Sequence, residues 1–160
     1  MSAARAGNRA RRAAVLVLHG PNLSRLGRRE PTLYGTMTLA EIDRELRGEA
    51  RDLGLTLRCL QSNHEGALLD ALLAAPDDGT AGVLLNAGAY AHTSLALADG
   101  VRAVAPLPVV EVHLTNTAAR DRPALVGAAC TARVEGFGAS SYRVALRALA
   151  EVLARPAKGP

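Results

Sequence analysis

The chain has 160 residues, 49% of them apolar, and a formal charge of +4. That is enough apolar material for one domain with a real core and too much for a disordered chain, and no apolar run approaches the ~20 residues of a membrane span. With no Trp, one Phe and three Tyr, the core must be aliphatic. The charge does not point to nucleic acid: Arg5, Arg9, Arg11 and Arg12 crowd the start, and the remaining 15 basic side chains match 15 acidic ones.

Residues 1–13 read as a disordered Arg/Ala-rich leader without the apolar segment of a secretory signal. AVLVLH at 14–19 predicts a first strand. GPNLSRLGRREPTLYG follows at 20–35 as a loop. TLAEIDRELRGEARDLG at 38–54 predicts a helix, with Thr38 as N-cap, Glu41 at N3 and Gly54 as the stop. LTLRCLQ at 55–61 alternates as an edge strand should, and HEGALLDALLAA at 64–75 is helical. GVLLNAGAY at 82–90 is a continuous apolar run, the mark of a central parallel strand. HTSLALADGVRAVA at 92–105 is helical with a flaw at Gly100. LPVVEVHL at 107–114 gives a fourth strand, TNTAARDRP a polar loop, and GAACTARVEG at 127–136 a weaker fifth strand. ASSYRVALRALAEVLA at 139–154 closes the domain as a helix, and residues 155–160 form a tail. This alternation predicts an α/β domain, residues 14–154, with a parallel sheet covered on both faces.

In such sheets the site lies beyond the carboxyl ends of the strands. The polar residues collect there. Strand one ends in His19, Gly20, Pro21 and Asn22; strand two in Gln61, Ser62, Asn63 and His64. Strand three ends in Asn86 and leads to His92, and strand four ends in Glu111, His113, Thr115 and Asn116, with Arg120 just after. All four histidines lie at this edge, which predicts a polar pocket. Taken singly, each has a plainer reading. His19 and His64 are best read as caps. His92 suits an N-cap, and His113 alone is more often a satisfied buried histidine than a catalyst. Asn86 after an apolar run needs a partner or a ligand.

Several chemistries lack their residues. The only lysine is Lys158, so a Schiff base has no nucleophile. There is no phosphate-binding P-loop, no GxSxG elbow, no HExxH and no acidic cluster for a metal. GFGASS at 136–141 lacks the third glycine of a dinucleotide site. Cys59 and Cys130 fit no zinc spacing and read as buried thiols of a reducing compartment. Acid–base chemistry by Tyr, His and Arg remains. A tyrosine acting as a base near pH 7 needs about 4 kcal/mol of help from its surroundings. Three arginines crowd the loop that carries Tyr34. Arg29 can fold back onto the phenol across the Glu30-Pro31 corner and favour its charged form, although Glu30 competes for that charge.

Together HGPNLSRLGRREPTLYG, QSNHEG, NAGAYAHTS and EVHLTN, in this order and on these strand ends, resemble the type II 3-dehydroquinate dehydratases. The likeness spans about residues 14–154. It implies a flavodoxin-like three-layer sandwich with strand order 2-1-3-4-5. It further implies no cofactor, no metal, a homododecamer built as a tetramer of trimers, a cytoplasmic location, and a hydro-lyase of the shikimate pathway that eliminates water in the anti sense. On the matching positions, Tyr34 takes the C2 proton, Arg29 keeps Tyr34 ionised, Asn22 stabilises the enolate and His113 protonates the leaving hydroxyl. Asn86, Leu114 and Thr115 hold the substrate carboxylate, His92 binds a hydroxyl, Arg120 lines the pocket and Asp99 reaches a neighbouring subunit's site. The likeness breaks after strand four. NTAARDRPALVGAAC puts Ala124 where the family carries a second arginine; Arg122 is the nearest replacement. That change keeps two further readings open: a paralogue acting on an amino analogue of dehydroquinate, and a non-catalytic ligand-binding homologue. An FMN module is disfavoured, since PNLSRLG is not its phosphate loop.

Overall fold

The computed structural model describes residues 12–156 of the chain. The leader and tail expected at the two ends lie largely outside that span. Five strands form one parallel sheet in the order β2-β1-β3-β4-β5. They are β1 (Ala13–His19), β2 (Leu55–Gln61), β3 (Thr80–Asn86), β4 (Val109–His113) and β5 (Ala132–Glu135). The helices are α1 (Pro31–Tyr34), α2 (Leu39–Asp52), α3 (Glu65–Ala74), α4 (Leu95–Ala103) and α5 (Ser140–Leu153).

The two faces of the sheet follow from period-two alternation along its buried strands. Val15, Val17, Leu84, Val110 and Val112 face α2 and α5, where they meet Ile42, Leu46, Leu146 and Leu149. Leu16, Leu18, Val83, Leu85 and Val109 face α3 and α4, against Leu68, Leu72, Leu97 and Val101. A fully buried leucine contributes about 1.5–3 kcal/mol, so these two aliphatic layers hold the fold without a large aromatic component. β2, at the edge, buries only Leu55 fully, as its alternation predicted.

Local sequence sets the ends of α2 in detail. The Thr38 side chain accepts from the Glu41 N–H while Glu41 reaches back to the Thr38 N–H, a complete capping box. Gly54, at φ 72, carries the left-handed residue that ends it.

Four expectations shift. The third strand stops at Asn86, not Tyr90, because Gly88 at φ 58 turns the chain into a 3-10 segment, Gly88–His92. The next helix starts at Leu95, and its cap is Ser94, whose hydroxyl accepts from the Leu97 N–H; His92 is not the cap. Gly100 is no flaw: a Cβ there would lie 2.5 Å from a Leu69 methyl carbon, so α3 and α4 need the gap. The fifth strand is only Ala132–Glu135, the residues from 127 onward being used in turns.

Candidate active site

β2 and β3 flank β1 on opposite sides, so the order reverses at β1 and opens a crevice above the β1 and β3 ends. A cleft occupies this crevice and extends to the β4 end. Asn22, Arg29, Tyr34, Asn86, His92, His113, Leu114, Thr115 and Arg120 all line it. Asp99 does not. It sits exposed on α4 beside Arg102, at 3.1 Å. Arg122 also lines the cleft, close to the position left by Ala124.

The first wall is the 20–35 segment. Gly20 lets β1 and β3 come together at their ends: its N–H donates to the Asn86 carbonyl at 2.7 Å, and a Cβ would fall 2.5 Å from Ala87 backbone atoms. Asn22 follows in the left-handed region, at φ 68. Its N–H donates to Asn63 Oδ1 at 3.0 Å, and Gln61 Nε2 donates to the Gly20 carbonyl at 3.1 Å. The polar end of β2 therefore supports this turn and does not line the cleft. His64 stands at the N-cap position of α3 without a side-chain cap bond.

Tyr34 ends the short α1, which Pro31 starts. Its phenol oxygen accepts from Arg120 Nη1 at 3.0 Å. Arg29 lies over the ring face, with Cζ 5.5 Å from the ring centroid, and its Nε is 3.5 Å from Glu30. Two guanidinium groups thus meet one phenol, and the one on its oxygen is Arg120.

The second wall is the β4 end. His113 is almost fully buried, and its ring stacks on His92 at 5.9 Å between centroids. His92 Nδ1–H donates to the Pro123 carbonyl at 2.7 Å, which leaves Nε2 as the acceptor nitrogen of the neutral ring. Behind His113 stands Glu111, fully buried, with Oε1 at 3.4 Å from His113 Nε2. Neither of these atoms has a hydrogen-bond partner among the described residues. The other Glu111 oxygen accepts from Arg133 Nε at 2.7 Å. Arg133 continues to Glu135 and to the Thr117 hydroxyl, both at 3.2 Å. Burial works against the Glu135 charge, but hydrogen bonds from Thr117 and the Arg133 charge prevail and hold its carboxyl below the usual range. Gly127 makes room for this ion pair, since a Cβ there would sit 2.2 Å from Glu111 Oε2. The sequence showed Glu111 at a strand end but gave it no task. The signal available was its spacing: residues i and i+2 of one strand share a face, so Glu111 must lie beside His113.

The 121–126 segment rims the cleft. It is tied to the Gly88–His92 turn by the Pro123 carbonyl bond and by the Val126 N–H donating to the Ala91 carbonyl at 3.1 Å.

His19 is not a cap. It is fully buried, and both ring nitrogens are bonded, Nδ1 to the Tyr142 phenol and Nε2 to Asp43, each at 2.8 Å.

Comparison with known proteins bears on the fold and the family. A profile described as Dehydroquinase class II matches residues 13–150. A 3-dehydroquinate dehydratase of Chelativorans sp. is 49% identical over 144 residues, covering 85% of this chain and 95% of its own. One from Gloeobacter violaceus is 48% identical, covering 90% and 91%. The crystal structure of type II dehydroquinase from Propionibacterium acnes superposes with a TM-score of 0.81 at 38% identity, covering 86% of this chain and 96% of that one. The five-stranded order, the paired walls of the cleft and these relatives place the chain in the class II dehydroquinase family.

Proposed function

We propose that the protein is a 3-dehydroquinate dehydratase that removes water by anti elimination through an enolate. The observation that carries this reading is the pairing, in one cleft, of a phenol bonded by Arg120 and covered by Arg29 with a histidine backed by a buried carboxylate. Tyr34 is the base. Arg120 donates to its oxygen and Arg29 lies over its ring, which sets two positive charges beside the phenol. Arg29 and Arg120 therefore share the surroundings of the phenol. His113 is the acid that protonates the departing C1 hydroxyl, oriented by Glu111, whose own position is fixed by Arg133.

The remaining roles follow from position. Asn22, on its left-handed turn, faces the developing enolate oxygen. Asn86 with the Leu114–Thr115 backbone takes the carboxylate. His92, with Nε2 free to accept, takes a substrate hydroxyl. Arg122 supplies rim charge in place of the missing arginine at 124. Asp99, exposed on α4, serves a neighbouring subunit's cleft in a dodecamer.

The test is a steady-state assay with 3-dehydroquinate, following the ultraviolet absorbance of the conjugated product. Turnover is expected for the wild type. Tyr34→Phe should lower kcat by roughly 10²–10⁴, the usual weight of a general base, while substrate still binds. Wild-type protein that is folded yet inert would sink the activity. Undiminished turnover in Tyr34→Phe would sink the base.

A further inference from the structure

A connected run of polar side chains, most of them buried, lies behind the cleft wall. Asn86 ends β3 and is 2% exposed. The backbone dictates how its amide is turned. The Gly88 N–H can only donate, so the Asn86 atom it meets at 3.2 Å is Oδ1. Nδ2 therefore faces Tyr142 and donates to the phenol oxygen at 3.0 Å. That phenol is fully buried on α5 and must place its own hydrogen. The acceptor it meets is His19 Nδ1, at 2.8 Å. Accepting there leaves the imidazole hydrogen on Nε2, which donates to Asp43 Oδ1 at 2.8 Å. Donors and acceptors thus run one way, from β3 through α5 and β1 to α2. A charged His19 would break the order, because the Tyr142 hydrogen would then have no acceptor. Burial pushes the Tyr142 phenol far above its ordinary value, so it remains a donor. Cys59 completes a cluster with His19 and Asp43, their donor atoms within 4.8 Å of one another, but both His19 nitrogens are already committed.

We infer that Asp43, His19 and Tyr142 are positioning residues that lock the Asn86 amide, so that its second Nδ2 hydrogen is held toward the cleft as a fixed donor to an anionic group of the substrate. The inference rests on the proposed function only in taking that anion to be the substrate carboxylate. The lock matters because an amide has two faces of opposite sense. Turned over, Asn86 would present a carbonyl oxygen to the carboxylate and repel it. The wall would look the same in shape and fail in recognition.

Two experiments test this. The first needs no substrate: nitrogen-15 NMR of the histidine rings in the full-length protein. His19 is expected as a neutral ring with its hydrogen on Nε2; a ring protonated on Nδ1, or on both nitrogens, overturns the order. The second is kinetic. Tyr142→Phe and Asp43→Ala should each raise KM about tenfold, the weight of one hydrogen bond to a charged group, with kcat within about twofold. Asp43→Asn should recover most of the wild-type KM, because its carbonyl oxygen still accepts from Nε2–H. A lowered melting temperature with unchanged KM would mean a merely structural network and would overturn the inference. So would an Asp43→Asn variant as impaired as Asp43→Ala. Should Tyr142→Phe not fold, the Asp43 pair decides, since that side chain is 16% exposed. If the wild type does not turn over dehydroquinate, it is the proposed function that fails, and the ring tautomer still judges the lock.

Discussion

Removing the Arg133 guanidinium probes the cleft from behind. In Arg133→Met the Glu111 carboxylate keeps its burial but loses the cation at 2.7 Å. Glu111 is fully buried, while the Arg133 side chain is 31% exposed. Orphaning one member of a fully buried pair costs about 3–5 kcal/mol, and the partial exposure of this arginine reduces the expectation to about 2–3 kcal/mol. The assay is urea unfolding followed by far-ultraviolet circular dichroism at fixed protein concentration. A double-mutant cycle with Glu111→Gln isolates the cause. If the orphaned charge is what destabilises, the double mutant should recover at least ~1 kcal/mol of the summed losses. If His113 is the acid and Glu111 steadies it, as proposed, turnover should also fall about tenfold at nearly constant KM. A loss under ~0.5 kcal/mol with an additive cycle would refute the reasoning and reduce Arg133 to a surface contact.

Other outcomes follow from the same structure. Gly20→Ala should destabilise the protein by about 1–3 kcal/mol and impair turnover with it, since the new methyl must push the β1 and β3 ends apart; unfolding curves and kcat/KM superposing on the wild type would contradict this. Glu49 and Asp78 titrate below their ordinary values of 4.5 and 3.8, Glu49 through its bond from Arg147 and Asp78 through bonds from Thr80 and Arg58. The folded state thus binds fewer protons, and their contribution is present above those ordinary values and lost as pH falls through the depressed ones. Acid titration should show this loss, and Glu49→Gln should make it shallower. Burial pushes the Cys59 and Cys130 thiols up to about 12. Iodoacetamide at pH 8 should label both slowly in the native protein and quickly in urea; fast native labelling would show that the thiols are accessible.

Strand–helix order, sheet edge, capping box and cleft location were all readable in the chain, because each follows from local periodicity or from where strands end. Three contacts were not. Arg120 was placed in the pocket, but nothing in the spacing of residues 34 and 120 says that it would bond the Tyr34 oxygen. That contact needs two loops from different strands to meet, a tertiary event. Glu111 was hidden by its own strand: a charged residue in an apolar run has no visible partner until β5 brings Arg133 alongside. His19 reads as a cap in the sequence because its partners, Asp43 and Tyr142, come from helices remote from it along the chain. The third strand ends before its apolar run does, for a local reason. The apolar run continues past Asn86, and only the φ of Gly88 breaks it.

The rim at 121–126 is tied to the turn beneath it by one side-chain bond and one backbone bond, while Tyr34 and His113 themselves stand on α1 and β4. The molecule thus separates in heredity what it joins in action. Under the proposed function, changes at Arg122 and its neighbour Ala124 are expected to alter which substituents a ligand can carry while leaving Tyr34 and His113 in place. A lineage can wander in substrate along this short stretch while its chemistry stays fixed. A directed-evolution library confined to residues 122–125 would retrace that wandering at little risk to the fold.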